Sequence, residues 1–201
     1  MIMQKLKKSI QVVMILFITI LFTSCSSKQN SEESNKTESL TPTSPASETV
    51  IGFLTWYKLH MMDLNAYKLV NNNGNESPKP DKPYSVNFSE TEKYIAALKA
   101  SGFISEKYVE NARAYFKKCN EALKLEQQYD GPPMGFDADL IMLSQDFELD
   151  FLDQVKINTH PSGPNNAHIT LEFPYGLKLA YAMSLEYGKW LIDDIQNVSV
   201  R

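Results

Sequence analysis

The polar residues best suited to chemistry by type and spacing are Asp137, Asp139, Gln145 and Asp146, which stand among apolar neighbours. Carboxylates in such surroundings can bind a ligand or a cation, or transfer protons as a general acid or base. With Tyr57, these four side chains form the predicted ligand-binding set. Asp is equally suited to cap a helix or to lock a turn. The sequence leaves both interpretations open.

Other site patterns are weak. The three histidines His60, His160 and His168 lack metal-ligand spacing, although the last two flank a predicted hairpin turn and could approach each other. The acidic pair Asp137 and Asp139 lacks the glycine that a calcium loop requires. The sequence shows no phosphate-binding glycine loop, CxxC motif or Ser-His-Asp signature. We predict no metal, no cofactor and no assignable catalytic residue.

Cys25 is the residue whose surroundings specify a reaction most clearly. Three lysines precede an apolar run over residues 12–22, and Phe22-Thr23-Ser24 leads into the cysteine. A helix over that run spans ~16 Å, too short for a hydrocarbon core of ~30 Å, which favours a signal peptide over a membrane span. The stretch resembles a lipobox, the processing site of bacterial lipoproteins. The alternative is an ordinary signal peptide cut nearby, with Cys25 incidental.

The lipobox divides the chain into three parts. Residues 1–24 are the predicted lipoprotein signal peptide, and residues 25–46 are the lipidated cysteine followed by a polar, disordered tether. Diacylglyceryl on the thiol, with a further acyl chain on the freed amine, would anchor the chain stably. Residues 47–201 form the predicted folded domain.

The charge of the chain limits its partners. The formal net charge is −4, and without the three lysines before Cys25, 17 basic residues face 24 acidic ones, a charge of about −7. This balance argues against a nucleic-acid partner, whose phosphates require a basic face. The membrane contact is therefore predicted to run through the lipid anchor. Cys119 has no disulfide partner if Cys25 carries lipid.

The first half of the folded domain is predicted to be helical. A helix capped by Ser47 runs to about Asn71, with apolar residues at steps of three and four. A capping box of Ser89 and Glu92 starts a second helix that ends at Gly102. Ser105 caps a third helix. Its apolar face includes Cys119, which predicts a buried thiol, and the segment 136–153 fits either a strand or a helical turn.

The second half is predicted to be an antiparallel meander. Apolar residues alternate with polar or small ones over 155–158, 167–173 and 177–185, and Gly and Pro mark the turns. A shift of the apolar phase near Asp193 and Asp194 predicts a β-bulge in the last strand. The fold class is therefore α+β, with N-terminal helices packed on one face of a curved antiparallel sheet.

This order of elements resembles the nuclear transport factor 2-like superfamily, a cone of helices against a bent sheet. Three stretches resemble one subgroup, an uncharacterised family of bacterial lipoproteins and secreted proteins: Phe53-Leu54-Thr55-Trp56-Tyr57, Phe136-Asp137-Ala138-Asp139 with Ser144-Gln145-Asp146, and Trp190-Leu191-Ile192-Asp193-Asp194-Ile195. Leu140 stands where that family usually has Pro. The resemblance implies a cone fold and an envelope location, and it implies no activity.

The leading hypothesis is a lipid-anchored cell-envelope protein with a non-enzymatic domain that binds a small ligand or a protein. Ser26 after the cysteine is compatible with the outer membrane where the host has two membranes. One alternative is a small isomerase, dehydratase or hydrolase that uses an Asp carboxylate inside the cone. Another is an immunity-type or scaffold protein that binds through its sheet face. Trp56 and Trp190 are predicted to belong to the core rather than to a ligand site.

Overall fold

The computed structural model describes residues 44–72 and 82–199. The predicted signal peptide, Cys25 and most of the predicted tether lie outside the described residues. Within them, the helices are α1 (Pro45–Asn65), α2 (Phe88–Ala100), α3 (Glu106–Leu125) and a 3-10 helix (Leu149–Gln154). The strands are β1 (Val70–Asn71), β2 (Ser85–Val86), β3 (Lys156–Pro161), β4 (Asn166–Glu172), β5 (Lys178–Glu186) and β6 (Lys189–Asn197). No described helix has both the length and the apolar content that crossing a membrane requires.

Helix α1 begins three residues before the predicted position. Its N-cap is Ser44, whose hydroxyl oxygen accepts from the Ser47 amide at 3.2 Å, while the Ser44 amide donates to the Ser47 hydroxyl at 3.0 Å. This reciprocal pair satisfies two amides at once, and Pro45 fits the first helical position because its missing N–H is not needed there. The prediction that Ser47 is the N-cap is therefore wrong, and Ala46, assigned to the tether, is helical and buried.

Helix α1 also ends at Asn65, six residues before the predicted end. The chain turns there and forms β1, whose Val70 pairs with Val86 of β2. The predicted buried face of α1 is confirmed, except that Met61 is only half-buried. Trp56 is also half-buried rather than fully inside, and it stacks on His60 with 4.6 Å between ring centroids. The buried members of the predicted face are Val50, Phe53, Leu54, Tyr57 and Leu64.

Helix α2 is capped by Asn87, so the predicted capping box of Ser89 and Glu92 is wrong. The Asn87 side-chain oxygen accepts from the Glu90 amide at 3.3 Å. Asn87 already stands at the end of β2, and its own amide is held by the Leu69 carbonyl at 2.8 Å. That long-range bond places the N-cap of the helix two residues before Ser89. As predicted, the helix stops before Gly102, which adopts a φ of +73°.

The N-cap predicted for helix α3 is confirmed. Ser105 is the N-cap and accepts from the Tyr108 amide at 3.2 Å. The inner face of the helix is buried as its spacing indicates, except that Ala112 is only half-buried. Cys119 lies on this face, is 6% exposed and is a free thiol in the described part of the chain. The prediction of a buried, unpaired Cys119 is confirmed within these residues.

Strands β3 to β6 form one antiparallel sheet in chain order. The predicted alternation is confirmed, since Ile169, Leu171, Leu179, Tyr181 and Met183 are buried. The predicted bulge is also confirmed. Ala182 pairs with Asp194 and Met183 pairs with Ile192, so that Asp193 is the extra residue in β6.

The helices cover the buried face of this sheet. Helix α1 contacts β4 and β6, and α3 contacts β6. A parallel bridge joins Ile104, just before α3, to Ile192 in β6. The α+β class predicted from the sequence is confirmed, with an open sheet of four strands on one side. Trp190 in β6 is only partly buried and packs at the margin of the core.

Candidate functional site

Asp139 locks a turn in the irregular segment between α3 and the 3-10 helix. Its Oδ1 atom accepts from the amides of Ile141 at 2.9 Å and Met142 at 2.6 Å. Its carbonyl oxygen accepts from the Leu143 amide at 2.9 Å, and Leu143 adopts a φ of +51°. The capping interpretation of Asp139 is therefore what its contacts support. Of the two structures that the sequence allowed over 136–153, the strand does not form, whereas a helical turn does form, as the 3-10 helix over residues 149–154.

The other carboxylate oxygen of Asp139 binds helix α1. The hydroxyl of Tyr57, which is 1% exposed, donates to Oδ2. Burial, and then the nearby Asp139 charge, raise the pKa of Tyr57 far above its ordinary value, so the phenol stays protonated and remains a donor. Two of the predicted site residues thus meet across 82 positions of sequence. Their contact joins the turn to the first helix.

The remaining predicted site residues lie apart from this contact. Asp137, Gln145 and Asp146 are exposed. Asp146 lines a polar surface pocket of about 380 Å³ together with Tyr175. The Ser144 hydroxyl donates to the Asp146 carbonyl at 2.9 Å, which shapes the local turn. The five predicted side chains therefore do not converge on one site.

A different group of side chains forms an apolar pocket of about 200 Å³ between α2, α3, the 140–143 turn and β6. We refer to it as the tyrosine pocket. The residues that give it its character are Tyr94, Tyr108, Asn111, Tyr115, Phe116 and Asp194. None of these residues belongs to the site predicted from the sequence. Tyr108 and Tyr115 stand seven residues apart on one side of α3, and that spacing is the signal that could have drawn attention to them.

The tyrosines of this pocket are held in neutral form. Burial, with a smaller contribution from Tyr108, raises the pKa of Tyr94 well above its ordinary value. Burial also raises the pKa of Tyr108, and the charge of Asp194 is the next cause. Tyr115 donates its hydroxyl to the Gly135 carbonyl at 2.7 Å, which fixes its ring at the rim. The pocket thus has fixed aromatic walls and one carboxylate.

A second, larger pocket of about 390 Å³ adjoins the first. Both pockets are lined by Tyr94 and Leu140, which form the wall between them. Asp139 lines the second pocket, beside Tyr67 and Phe136. The turn that Asp139 locks therefore supplies part of the lining of both pockets.

The histidines do not form a metal centre in the described structure. His160 and His168 face each other as register partners in β3 and β4, as their places beside the hairpin turn suggested. Within residues 44–72 and 82–199, no group of three or more His, Cys, Asp or Glu side chains is arranged to hold a metal ion. A tetrahedral zinc site needs at least three such ligands.

Comparison of the chain with models of known protein families, with curated proteins and with solved structures found no match. The lipoprotein and cone-fold resemblance therefore stays a prediction from the motifs. The geometry of the two adjoining pockets is the basis for assigning a function.

Proposed function

We propose that this protein is a bacterial lipoprotein, held in the cell envelope by lipid on Cys25, whose folded domain binds a small ligand without transforming it. The observation that carries the binding role is the tyrosine pocket. Its walls are mainly apolar and aromatic, with Asn111 and Asp194 as polar groups that can orient a guest. Small-molecule sites commonly combine apolar walls with a few placed polar groups.

The contacts of Asp139 favour binding over catalysis. A general base needs a carboxylate oxygen within hydrogen-bond reach of the proton that it removes. Asp139 already accepts from two backbone amides and from the Tyr57 hydroxyl. These bonds use both carboxylate oxygens to hold the turn. The enzymatic alternative, which relied on such a carboxylate, has less support than the binding role.

The outer sheet face gives little support to the scaffold or immunity-type alternative. Protein interfaces are enriched in aromatic residues, Met and Arg. The outward positions at the centre of β4 and β5 instead carry half-buried small or polar side chains. These are Thr170, Ala180, Ala182 and Ser184. The residues of this domain therefore suit a small ligand bound between helices and sheet better than a protein bound on the outer sheet face.

We assign the fold, in its finer form, to the nuclear transport factor 2-like cone. Three observations support this assignment. The helices precede the meander, they cover one face of the sheet, and the last strand carries a bulge at Asp193, a feature that generally bends a strand. The tyrosine pocket lies between helices and sheet, where a cone has its interior.

The anchor is tested by substitution of Cys25 in the full chain, followed by membrane fractionation. We expect the unaltered protein in the membrane fraction and the Cys25→Ala variant outside it, because acyl chains supply the membrane affinity. Cys119→Ala is the matched control, since it removes the other thiol from a buried helix face. Membrane retention of Cys25→Ala equal to that of the unaltered protein would overturn the lipoprotein assignment.

The binding role is tested by a ligand-observed NMR screen of small aromatic and amine compounds against the purified full chain. Ala112→Leu places extra volume in the tyrosine pocket, and we expect it to abolish the binding that the unaltered protein shows. Ala180→Leu adds the same volume on the outer sheet face and is the control. Binding that survives Ala112→Leu unchanged would contradict a site in this pocket.

A further inference from the structure

We propose that the ligand of the tyrosine pocket is a small organic cation, of the size and type of a quaternary or primary ammonium compound. This inference rests on the proposed binding role and specifies its ligand. It follows from the charge of the pocket, the nature of its walls and its volume.

Asp194 gives the pocket its charge. Among the described residues that line it, Asp194 is the charged one, and neither Lys nor Arg takes part. The Gln196 amide donates to Asp194 Oδ2 at 2.8 Å, and an amide carries no charge to balance the carboxylate. A negative charge beside apolar walls favours a guest that carries the opposite sign.

The neighbouring carboxylate, that of Asp193, differs from Asp194 because it is paired with a cation of the protein. Asp193, the bulge residue, is 5% exposed, and its Oδ2 lies 3.5 Å from the Lys107 ammonium. Its Oδ1 accepts from the Ser184 hydroxyl at 2.9 Å. The bulge therefore gives two consecutive carboxylates different surroundings. Asp193 is paired with a cation of its own chain, and Asp194 is one of the residues that line the pocket. The influence of Asp194 on Tyr108, whose pKa it helps to raise, is consistent with that placement.

The walls suit a cation as well. Tyr94, Tyr108, Tyr115 and Phe116 bring four aromatic rings to one pocket. The electron-rich face of an aromatic ring attracts an ammonium group, and the attraction grows when water is excluded. A volume of about 200 Å³ corresponds to roughly six or seven water-sized groups, which is the scale of choline.

The test compares choline with 3,3-dimethylbutan-1-ol, its neutral analogue of the same shape, by calorimetric or NMR titration of the purified full chain. We expect choline to bind about tenfold more tightly, because a desolvated cation–π contact and a carboxylate act on the charged probe alone. Asp194→Asn should remove that preference. Tyr108→Leu should weaken choline binding, whereas Tyr108→Phe keeps the ring and should retain most of it.

Asp146→Asn serves as the control, because it removes an exposed carboxylate from a different pocket and should leave choline binding unchanged. Equal affinity for the two probes would overturn the cation inference and leave the pocket as a site for neutral ligands. Choline binding that neither Asp194→Asn nor Tyr108→Leu reduces would also overturn it. If neither probe binds, and the wider NMR screen finds no ligand sensitive to Ala112→Leu, the proposed binding role fails with it.

Discussion

The hydroxyl of Tyr57 in α1 donates a hydrogen bond to the carboxylate of Asp139, 82 residues further along the chain. The second oxygen of that carboxylate accepts from the amides of the turn that follows. Leu140 and Leu143 in this turn line the tyrosine pocket. One carboxylate thus fixes the first helix, a turn and a pocket wall relative to each other.

The first prediction is that Tyr57→Phe destabilises the fold. The substitution keeps the ring and removes the donor to Asp139, which leaves a carboxylate oxygen without that bond. Loss of a donor to a charged, partly buried acceptor costs about 1–3 kcal/mol. Urea unfolding followed by circular dichroism measures the change in the free energy of unfolding. A midpoint equal to that of the unaltered protein would show that the bond contributes nothing to stability.

The second prediction is that the same substitution at Tyr181, Tyr→Phe, does not destabilise the fold. Tyr181 is 0% exposed, and within the described structure its hydroxyl has no hydrogen-bond partner. A buried polar group without a partner is costly, so Tyr181→Phe should leave stability unchanged or raise it by up to ~1–2 kcal/mol. Each variant serves as the control for the other. A loss at Tyr181 as large as that at Tyr57 would mean that the Tyr181 hydroxyl is satisfied in solution.

Local sequence signals predicted the sheet better than the helix starts. Period-two alternation depends only on which face each residue occupies, and even the bulge at Asp193 follows from a change of phase. Helix caps involve competition between nearby residues of similar propensity. Ser105 had no competing cap and was predicted correctly. Asn87 caps α2 in place of Ser89, because the Asn87 amide is hydrogen-bonded to the Leu69 carbonyl. That bond joins distant segments and leaves no local pattern.

The candidate site was harder to predict for the same reason. Asp139 was recognised by its type and surroundings, but its partner Tyr57 lies in α1, and the contact between them depends on the packing of the whole domain. The tyrosine pocket takes Tyr94 from α2, Tyr108 from α3 and Asp194 from β6. No spacing in the sequence connects three separate elements. Only their assembly against one sheet brings these side chains together.

The third prediction concerns alkaline pH. Several tyrosines have a pKa raised above the ordinary value of 10.0, mainly by burial. Above pH 10 the unfolded chain therefore releases protons that the folded chain retains. Stability is fully present below pH 10 and falls as pH rises above it, by about 1.4 kcal/mol per pH unit for each such group. The four most buried members are Tyr57, Tyr94, Tyr108 and Tyr181.

Urea unfolding at intervals between pH 8 and pH 11.5 measures this dependence. Absorbance at 295 nm follows the ionisation of the phenols in the folded protein and should lag behind that of the unfolded chain. Tyr181→Phe removes one of the groups and should make the decline less steep. A free energy of unfolding that stays constant through this range would contradict the burial of these hydroxyls.

The last prediction compares two glycines with similar backbones, Gly135 at a φ of +80° and Gly131 at +76°. An added Cβ at Gly135 would lie 2.5 Å from the Cys119 sulfur, whereas at Gly131 it meets no atom within 4 Å. Both alanine variants bear the cost of the left-handed conformation, about 1–2 kcal/mol. Gly135→Ala bears an additional overpacking cost of about 1–3 kcal/mol. Urea unfolding of the two variants measures the difference.

A double-mutant cycle with Cys119→Ala identifies the source of that difference. Removal of the sulfur opens the space that the new methyl group needs, so the additional cost of Gly135→Ala should largely disappear in this background. The cost of Gly131→Ala should not change, because that position lies away from the thiol. Equal destabilisation by the two glycine substitutions in the unaltered protein would contradict the close approach. The approach matters for the site because the Gly135 carbonyl accepts the Tyr115 hydroxyl at the rim of the tyrosine pocket.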